Sequence, residues 1–402
     1  MSILFGHPTG NPNSHHAALA HLEAGRLEAF CVPWFPGKAA LACLRAFPPT
    51  RAMAARLERR RFEPLVEAPK VQGRIGEVGR LAIRAFGKGN EGLSYEANDW
   101  LMRTMARECR RPTVTAVHSY EDCSLWQFEE AQRVGKSCIY DMPIGYYPAW
   151  QETERALAKQ FTDWLPRGGL ASHKFARPEQ KRREMNLADL VLVPSTFVQK
   201  TIARFADQQC ALAQYGVDST FWRPPPDVKK DKPLRFLYAG QISIRKGIPV
   251  LVEAWKQADL EDAELHLVGT WLLADRIRRE LPKGVHWFTA CSRQGLLGHY
   301  QSADVFAFPS FFEGFGLVLL EAMASGLPAL ASDATAAPDL LGDHTGRVLR
   351  ADDIDQWVEA LREFSRHRDR LPAMRKAARE KACQCTWEHY RKAVSKAVGP
   401  FC

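Results

Sequence analysis

Short apolar segments alternate with longer amphipathic segments over most of the chain, and this order predicts an α/β fold. In the second half, the apolar segments lie at residues 234–239, 265–268, 285–288 and 305–308. Apolar positions with helical spacing occupy residues 247–258, 273–281 and 294–302. Strands that alternate with helices pair in parallel through right-handed crossovers, so a parallel sheet is expected here.

The first half shows the same alternation, beginning with a strand at residues 3–5 and a Gly-containing loop. Ser14 is the predicted N-cap of the helix that follows. A β-branched strand at 113–117 ends in His118, at the strand end where parallel sheets bind ligands. No GxGxxG sequence is present, so a dinucleotide site is not supported.

Acidic residues at two places in the sequence are predicted to cap helices. Asp141 follows a strand at 137–140; it either binds an acceptor hydroxyl or caps the next helix, and the cap is favoured. Asp353 and Asp355 form a D-x-D pattern, which holds a metal ion in some enzymes. They lie just before a helical segment, where Asp suits a cap and the helix dipole, so we predict no metal there.

A Pro-rich, charged segment at residues 224–233 divides the chain, because neither a helix nor a central strand continues through it. The predicted units are an N-terminal domain (1–223), a second domain (224–380) and a C-terminal segment (381–402). The predicted fold class is α/β, with two Rossmann-like domains.

The composition narrows the class of protein. The 402 residues suit two domains of about 200 residues each. The chain has no run of 18 uncharged apolar residues and its N-terminus does not resemble a signal peptide, so a cytoplasmic protein is expected. The ten Cys residues include no CxxC pair, which indicates reduced thiols rather than disulfides or a zinc site.

The positive charge is concentrated in one segment. The net charge is +9, and residues 45–88 hold 11 basic and 4 acidic residues. A basic amphipathic helix suits an anionic membrane surface, as in peripheral membrane proteins; a solvated helix face is the alternative. Its arginines are Arg51, Arg56, Arg59, Arg60 and Arg61. No aromatic platform or nucleic-acid motif accompanies them, so we predict no nucleic-acid partner.

The most informative stretch is residues 308–333, which carries Glu313 and Glu321 separated by seven residues. Eight helical positions amount to about 800°, or about 80° beyond two turns. Glu313 is predicted in a loop and Glu321 inside the helix that begins at Leu317. The two carboxylates could then face one ligand from two heights.

Glycines and cations near these carboxylates indicate an anionic ligand. Gly314 and Gly316 let the backbone approach a ligand, and the free N–H groups of the following helix favour an anion such as a diphosphate. Arg245 and Lys246 follow another strand and open a helix. Cations are unfavourable at a helix N-terminus unless an anion binds there. They would offset charge on a leaving diphosphate.

The composite S-x-x-E-G-F-G-L-x-x-x-E-A-M-A-x-G-x-P resembles the nucleotide-sugar site of retaining glycosyltransferases of the GT-B fold, in particular family 4, glycosyl transferases group 1. The stretch from Gly240 to Gly247 is similar to the G-x(4–6)-K-G of that family, with Gln241 where many members have Arg. Tyr215-Gly-Val-Asp is similar to the N-G-V-D at its domain junction, with Tyr in place of Asn.

The resemblance implies that the two Rossmann-like domains face each other across a cleft and that the helix of residues 381–402 packs back on the first domain. It also implies roles for individual residues. Glu321 would hold the ribose, Glu313 the sugar hydroxyls, and the backbone at 315–318 the phosphates. Lys246 and Arg245 would stabilise the leaving nucleotide, and His118 would meet the donor sugar from the opposite domain. The donor site would comprise Gly10, Asn11, Gly240, Phe288, Gly314, Phe315, Gly316, Leu317, Val318 and Glu321. For Gly10 and Asn11, a turn without a ligand is the alternative.

The implied activity is metal-independent and cofactor-independent transfer of a sugar, with retention, from a UDP- or GDP-sugar to a glycan or lipid-linked acceptor. Synthesis of cell-surface polysaccharide or glycolipid is the expected context. Front-face attack assisted by the leaving phosphate is expected, without a committed protein nucleophile. A non-catalytic sugar-nucleotide-binding or scaffold protein of the same fold is the alternative.

Overall fold

The computed structural model describes residues 2–73, 77, 79, 92–166, 177–226 and 233–402, and within them the chain forms two parallel sheets. The first sheet has the order β3-β2-β1-β4-β5-β6-β7. Its strands are β1 (Ser2–Gly6), β2 (Leu27–Cys31), β3 (Lys70–Val71), β4 (Val114–Tyr120), β5 (Ser137–Asp141), β6 (Leu190–Val193) and β7 (Cys210–Leu212).

The second sheet has the order β10-β9-β8-β11-β12-β13. Its strands are β8 (Leu234–Ala239), β9 (Ala263–Val268), β10 (Val285–Phe288), β11 (Val305–Phe308), β12 (Ala329–Ser332) and β13 (Gly346–Leu349). The predicted fold class, two parallel-sheet α/β domains, is confirmed. Residues 227–232, the middle of the predicted linker, lie outside the described residues.

Helices connect the strands in both domains. In the first half they are α1 (Pro12–Glu23), α2 (Lys38–Ala46), α3 (Arg51–Glu58), α4 (Gly92–Glu108), α5 (Leu125–Arg133), α6 (Tyr147–Gln160), α7 (Pro178–Leu187) and α8 (Thr196–Ala203). In the second half they are α9 (Ile248–Ala258), α10 (Asp275–Arg279), α11 (Arg293–Ser302), α12 (Leu317–Ala324), α13 (Ala337–Leu340), α14 (Ile354–Arg366), α15 (Leu371–Gln384) and α16 (Trp387–Val398). Within the described part of the chain, no helix is both long and apolar enough to cross a membrane.

Each sheet has a point where the strand order reverses, between β1 and β4 in the first and between β8 and β11 in the second. Loops that leave the carboxyl ends of such neighbours diverge to opposite faces and leave a crevice for a ligand. In the second sheet these loops are 240–247 and 309–316, which contain the predicted cations and the first glutamate. The topology therefore brings together two stretches that are 60 to 70 residues apart in sequence.

Three local predictions in the first domain were wrong. The N-cap of α1 is Asn11 rather than Ser14, because Ser14 lies at the third helical position and completes a reciprocal capping box. Strand β4 continues through Tyr120, so His118 lies inside the strand. Asp141 ends β5 but caps no helix, since α6 begins only at Tyr147.

The C-terminal helix α16 lies on α1 of the first domain. The Arg391 guanidinium donates to the Glu23 carboxylate at 2.7 Å, and the His16 imidazole stacks on the Trp387 ring at 4.4 Å. The chain therefore crosses from the second domain back to the first, which ties the two sheets together.

Candidate functional site

The loops after β8 and β11 lie against each other at the carboxyl edge of the second sheet. The backbone N–H of Phe311 donates to the Arg245 carbonyl at 2.8 Å. Gly247 has φ +72°, and a Cβ there would lie 1.9 Å from the Pro309 carbonyl oxygen. Glycine is required at this position both for the backbone conformation and for the close approach of the two loops.

This contact places the charged groups of the two loops in one cluster. The Lys246 ammonium forms an ion pair with the Glu313 carboxylate. The Arg245 guanidinium lies 4.0 Å from the same carboxylate and donates to the Phe312 carbonyl at 2.8 Å. Only 12% of the Lys246 side chain and 16% of the Glu313 side chain are exposed. We call Arg245, Lys246 and Glu313 the charged cluster.

Burial lowers the pKa of Lys246, and the neighbouring Arg245 lowers it further, while Glu313 opposes both effects. The shift remains downward although the lysine has a carboxylate partner. The Glu313 carboxylate therefore does not fully compensate the Lys246 ammonium for the hydration that it loses on burial. An anion that enters the crevice would stabilise this ammonium further. A cation in this state is suited to hold a phosphate.

Helix α12 begins beside the charged cluster through a glycine in the left-handed region. Gly316 has φ +85°, and a Cβ there would lie 2.5 Å from the Phe308 ring. The first hydrogen bond of the turn runs from the Leu319 N–H to the Gly316 carbonyl at 2.8 Å. The N–H groups of Leu317 and Val318 precede that bond, and helix geometry gives them no intrahelical acceptor.

Glu321 lies within α12, as predicted, and is partly buried. The Tyr300 hydroxyl lies 3.4 Å from its carboxylate. Burial raises the pKa of Glu321 to about 7, and Arg293 acts in the opposite direction. Near neutral pH this carboxyl group can both accept and donate hydrogen bonds, which suits contact with hydroxyl groups.

Phe288 ends β10 and Gly240 follows β8, so they lie at the carboxyl ends of the two strands that flank β9. The Phe288 ring packs against the rings of His266, at 4.8 Å, and His299, at 5.2 Å, and its carbonyl accepts from the Gly269 N–H at 2.9 Å. Gly269 follows β9, and a Cβ on it would lie 1.7 Å from the Gly240 carbonyl oxygen. The ends of β8 and β9 therefore approach too closely for any residue but glycine at position 269. Contact of Phe288 with a base stays a prediction.

Gly10 and Asn11 are held by internal hydrogen bonds. The Asn11 carboxamide oxygen accepts from the Ser14 N–H at 2.9 Å, and the Ser14 hydroxyl accepts from the Asn11 N–H at 2.9 Å. Gly10 has φ +73° and donates its N–H to His7 Nδ1 at 2.8 Å. The turn is complete without a ligand, so a donor contact at these residues stays a prediction.

His118 is fully buried rather than presented at a strand end. Its Nδ1 lies 2.8 Å from His21 Nε2, and its Nε2 lies 3.6 Å from the Asp141 carboxylate. Burial lowers the pKa of His118 to about 3 and raises that of Asp141 to about 7. The imidazole therefore belongs to an internal hydrogen-bond network, and its contact with a donor sugar stays a prediction.

Sequence reasoning missed Tyr120, which lies two residues beyond His118 on the same face of β4. Its ring contacts the His7 ring edge-to-face at 4.7 Å, so it lies closer to the β1–α1 loop than His118 does. The sequence signal was the β-favouring Tyr at the end of the run V-H-S-Y, which is compatible with a strand that continues past His118. Tyr120 is buried and is not assigned a role.

The first domain touches the Glu313 loop directly. A Cβ on Gly314 would lie 1.7 Å from the Pro143 carbonyl oxygen, and the Ser195 hydroxyl donates to the Gly314 carbonyl. The Phe312 ring packs against the Trp150 ring at 5.3 Å and against Phe197 at 5.5 Å. Sequence reasoning had no signal for these contacts, because they join residues more than 100 positions apart.

Asp353 is the N-cap of α14, as the sequence predicted. Its carboxylate accepts from the Gln356 N–H at 3.0 Å. Elsewhere in the ranges that the structure describes, no group of three or more His, Cys, Asp and Glu side chains has the arrangement of a metal site.

Comparison with known proteins bears on this geometry. Residues 220–381 match the family model described as Glycosyl transferases group 1. Sulfoquinovosyl transferase SQD2 of Arabidopsis thaliana is 30% identical over 218 residues, which are 50% of this chain and 42% of that protein. O-antigen chain mannosyltransferase B of Escherichia coli is 34% identical over 130 residues, 30% of this chain and 33% of that protein. The match thus spans less than half the length of these relatives.

Solved structures extend the likeness to the whole chain. Sucrose-phosphate synthase from Thermosynechococcus elongatus superposes with a TM-score of 0.64 at 17% identity, covering 100% of this chain and 98% of that one. HepE of Anabaena, in complex with UDP and glucose, superposes with a TM-score of 0.62 at 16% identity, covering 100% of both chains. At this identity the likeness shows the fold. The protein therefore has the GT-B fold, and its residues 220–381 are similar to the glycosyl transferases group 1 family.

Proposed function

We propose that the protein is a cytoplasmic, retaining glycosyltransferase that moves a sugar from a UDP- or GDP-sugar to a glycan or lipid-linked acceptor, without a metal or cofactor. Synthesis of a cell-surface polysaccharide or glycolipid is the proposed context. The observation that carries the proposal is the charged cluster of Arg245, Lys246 and Glu313, which stands beside the open start of α12.

The relatives support the choice of substrates. The structures of HepE were determined in complex with UDP and with UDP-glucose. Other relatives are named as a sulfoquinovosyl transferase, an O-antigen chain mannosyltransferase and a mannosyltransferase acting on a phosphatidylinositol monomannoside. A nucleotide-sugar donor and an acceptor in an envelope glycan or glycolipid are therefore the starting hypotheses for this chain.

The charged cluster would change partners when the donor binds. The Lys246 ammonium would move from Glu313 to the diphosphate, and the N–H groups of Leu317 and Val318 would donate to the same phosphates. Glu313 would then be free to accept hydrogen bonds from the sugar hydroxyls. As the glycosidic bond breaks, negative charge grows on the leaving diphosphate, and the buried cation stabilises it more in the transition state than in the ground state.

The surroundings of Glu313 support retention without a covalent intermediate. Its Oε2 atom is paired with Lys246, with Arg245 at 4.0 Å and the Ser310 hydroxyl at 3.5 Å. When Lys246 moves to the diphosphate, the Arg245 guanidinium and the Ser310 hydroxyl would remain beside this carboxylate, and a carboxylate that keeps such partners is a weak nucleophile. In the proposed reaction the acceptor hydroxyl forms its bond to the anomeric carbon on the face from which the diphosphate departs, and its proton passes to a phosphate oxygen.

Hydrolysis of candidate UDP-, GDP- and ADP-sugars by the purified protein tests the proposal, with transfer to added acceptors followed by NMR of the anomeric configuration. Lys246→Ala and Glu313→Ala are expected to lower turnover by about 10²-fold or more. Lys256→Ala, which removes an exposed cation from α9, is the matched control. Full turnover in the first two variants would refute the site assignment. Nucleotide binding without any turnover would indicate the non-catalytic binder, and an inverted product would refute retention.

A further inference from the structure

Helices α2 and α3 form a hairpin at the same edge of the first sheet as the cleft. The hairpin follows the carboxyl end of β2, which pairs with β1 in parallel, Gly6 opposite Cys31. The His7 N–H donates to the Cys31 carbonyl at 3.2 Å, so the segments that lead to the hairpin and to the Gly10 turn leave the sheet side by side.

The hairpin has a small hydrophobic cluster of its own. Leu41 and Leu57 are buried against each other, with Trp34, Leu44 and Met53 partly buried around them, and this cluster is separate from the main core. The two helices therefore form a separate unit at the edge of the domain, and this unit buries its few apolar side chains in its own cluster.

The turn of the hairpin is apolar and exposed. It consists of Ala46, Phe47, Pro48 and Pro49, all exposed. The Phe47 side chain is 61% exposed, more than any other large hydrophobic residue within the described ranges. A single exposed apolar residue is ordinary, but here it stands at the tip of a basic unit.

The charge of the hairpin is mostly uncompensated. Residues 38–59 hold five basic residues and one acidic residue, Glu58, which forms an ion pair with Arg45 across the two helices. Arg51, Arg56 and Arg59 are exposed, and no carboxylate of the described residues lies within ion-pair distance of them. These three residues and Phe47 form what we call the basic tip.

Two arginines of the basic segment do not belong to this surface. Arg60 is buried and pairs with Glu77 at 2.7 Å. Arg61 donates to the Glu63 carboxylate at 3.0 Å and to the Pro36 carbonyl at 3.2 Å. The sequence expectation that all five arginines face a membrane is therefore wrong for these two, because ion pairs and burial fix them within the domain.

We propose that the basic tip binds an anionic lipid surface, with Phe47 inserted at the headgroup level and the three arginines on the phosphates. An exposed aromatic side chain flanked by arginines without ion-pair partners suits the surface of an anionic bilayer, whose acyl region is apolar and whose headgroups carry negative charge. The lipid-linked acceptor would then reach the cleft from the bilayer on which the protein rests. This last step rests on the proposed function; the lipid binding does not.

Flotation with vesicles of phosphatidylcholine, alone or mixed with phosphatidylglycerol, tests the proposal. The wild-type protein should bind the mixed vesicles, bind the neutral ones at least tenfold more weakly, and be released in about 1 M NaCl, where charges are screened within about 3 Å. Changing Arg51, Arg56 and Arg59 together to Gln should weaken binding by about tenfold or more. Phe47→Ser, whose side chain is exposed and leaves the hairpin cluster intact, should weaken it severalfold.

The matched control changes Lys256, Arg279 and Arg366 together to Gln, which removes the same charge from exposed positions of the second domain. It should float like the wild type. The proposal would be overturned if the two triple variants lost vesicle binding equally, or if the wild-type protein bound neither kind of vesicle. In the second case, an acidic protein surface would be the remaining partner for the basic tip.

Donor hydrolysis separates this proposal from the proposed function, because it needs no membrane. All hairpin variants should hydrolyse the donor at the wild-type rate. Vesicle binding without hydrolysis would refute the glycosyltransferase proposal alone, whereas hydrolysis without vesicle binding would refute lipid binding alone.

Discussion

The carboxyl edge of the second sheet and the interior of the first domain carry titratable side chains of opposite character. In the second domain, Lys246 and Arg245 are cations that lie beside the Glu313 carboxylate, and all three side chains are mostly but not fully buried. In the first domain, His118 and His21 are fully buried, and burial lowers the pKa of each. The edge of the second sheet holds charge that a ligand can exchange, whereas the first domain uses these polar groups to complete its own packing. We infer that the donor is recognised mainly by the second domain.

Two carboxylates show the same contrast. Glu184 of the first domain is buried and accepts from the N–H groups of Asp122 at 3.0 Å and Ser124 at 2.9 Å, and from the Tyr140 hydroxyl at 2.8 Å. It satisfies the start of α5 and has a structural role. Glu321 of the second domain is partly buried, and among the described residues its carboxylate has one side-chain hydrogen-bond partner, the Tyr300 hydroxyl at 3.4 Å, which leaves it free to bind a ligand.

The largest expected effect is on stability. Glu184→Ala should lower the free energy of unfolding of the first domain by about 3 kcal/mol, because several buried donors lose their acceptor. Urea unfolding followed by intrinsic fluorescence measures it. Glu179→Ala, on the same helix but with an exposed side chain paired with Arg182, should change stability by about 0.5 kcal/mol or less. A Glu184→Ala protein as stable as this control would contradict the structural role.

The contact between the domains gives the next effect. Gly314→Ala should lower kcat/KM for transfer by about 30-fold, because its Cβ cannot fit against the Pro143 carbonyl and displacing either loop costs about 2 kcal/mol. Steady-state kinetics measures it. Gly342→Ala, in an exposed loop where a Cβ meets nothing within 4 Å, is the control. Unchanged kinetics for Gly314→Ala would show that the domains are farther apart during turnover.

A smaller effect is expected at Glu321. Glu321→Gln should raise KM for the donor by about tenfold and leave kcat nearly unchanged, because a contact to ribose is made equally in the ground and transition states. Initial rates at varied donor concentration measure both constants. A fall in kcat at constant KM would place Glu321 at the reacting centre instead. Glu359→Gln, exposed on α14, is the control.

The last predicted effect is a pH dependence in the first domain, which is small at any one pH step and accumulates over the range. The pKa of Asp141 is raised from 3.8 to about 7, so the folded protein binds this proton more tightly than the unfolded chain does. The group therefore stabilises the fold at low pH, and this contribution is lost as the pH rises from about 4 to about 7. Asn cannot titrate, so Asp141→Asn should gain stability relative to wild type across that range, on the order of 1 kcal/mol per pH unit.

Thermal or urea unfolding of both proteins at several pH values measures this difference. A stability difference that does not change between pH 4 and pH 7 would show that Asp141 has an ordinary pKa. Asp343→Asn, at an exposed loop of the second domain, should show no such trend.

The second domain was predicted well from sequence because its signals are local. Strands β8, β10 and β11 and the start of α12 at Leu317 lie where the apolar segments and glycines indicated. The positive φ of Gly316 explains the helix start, and Glu313 precedes the helix while Glu321 lies within it. Each of these features depends on a few consecutive residues.

The first domain was predicted less well because its decisive interactions are distant or ambiguous in sequence. Asn11 and Ser14 both favour an N-cap, and only the capping box shows which one serves. Arg60 was predicted on a basic amphipathic face turned to a membrane or to solvent, yet it is buried and pairs with Glu77. The contact of Gly314 with Pro143 joins two domains, and no local pattern encodes it.

The central claim is that the charged edge of the second domain binds the donor nucleotide. Calorimetric titration of UDP and GDP into the wild-type protein, Lys246→Ala and the Lys256→Ala control tests it most directly. We expect one of the two nucleotides to bind the wild type and the control equally, and to bind Lys246→Ala at least about tenfold more weakly, since a buried cation–phosphate contact is lost. Equal affinity in all three proteins, or no binding of either nucleotide, would contradict the account.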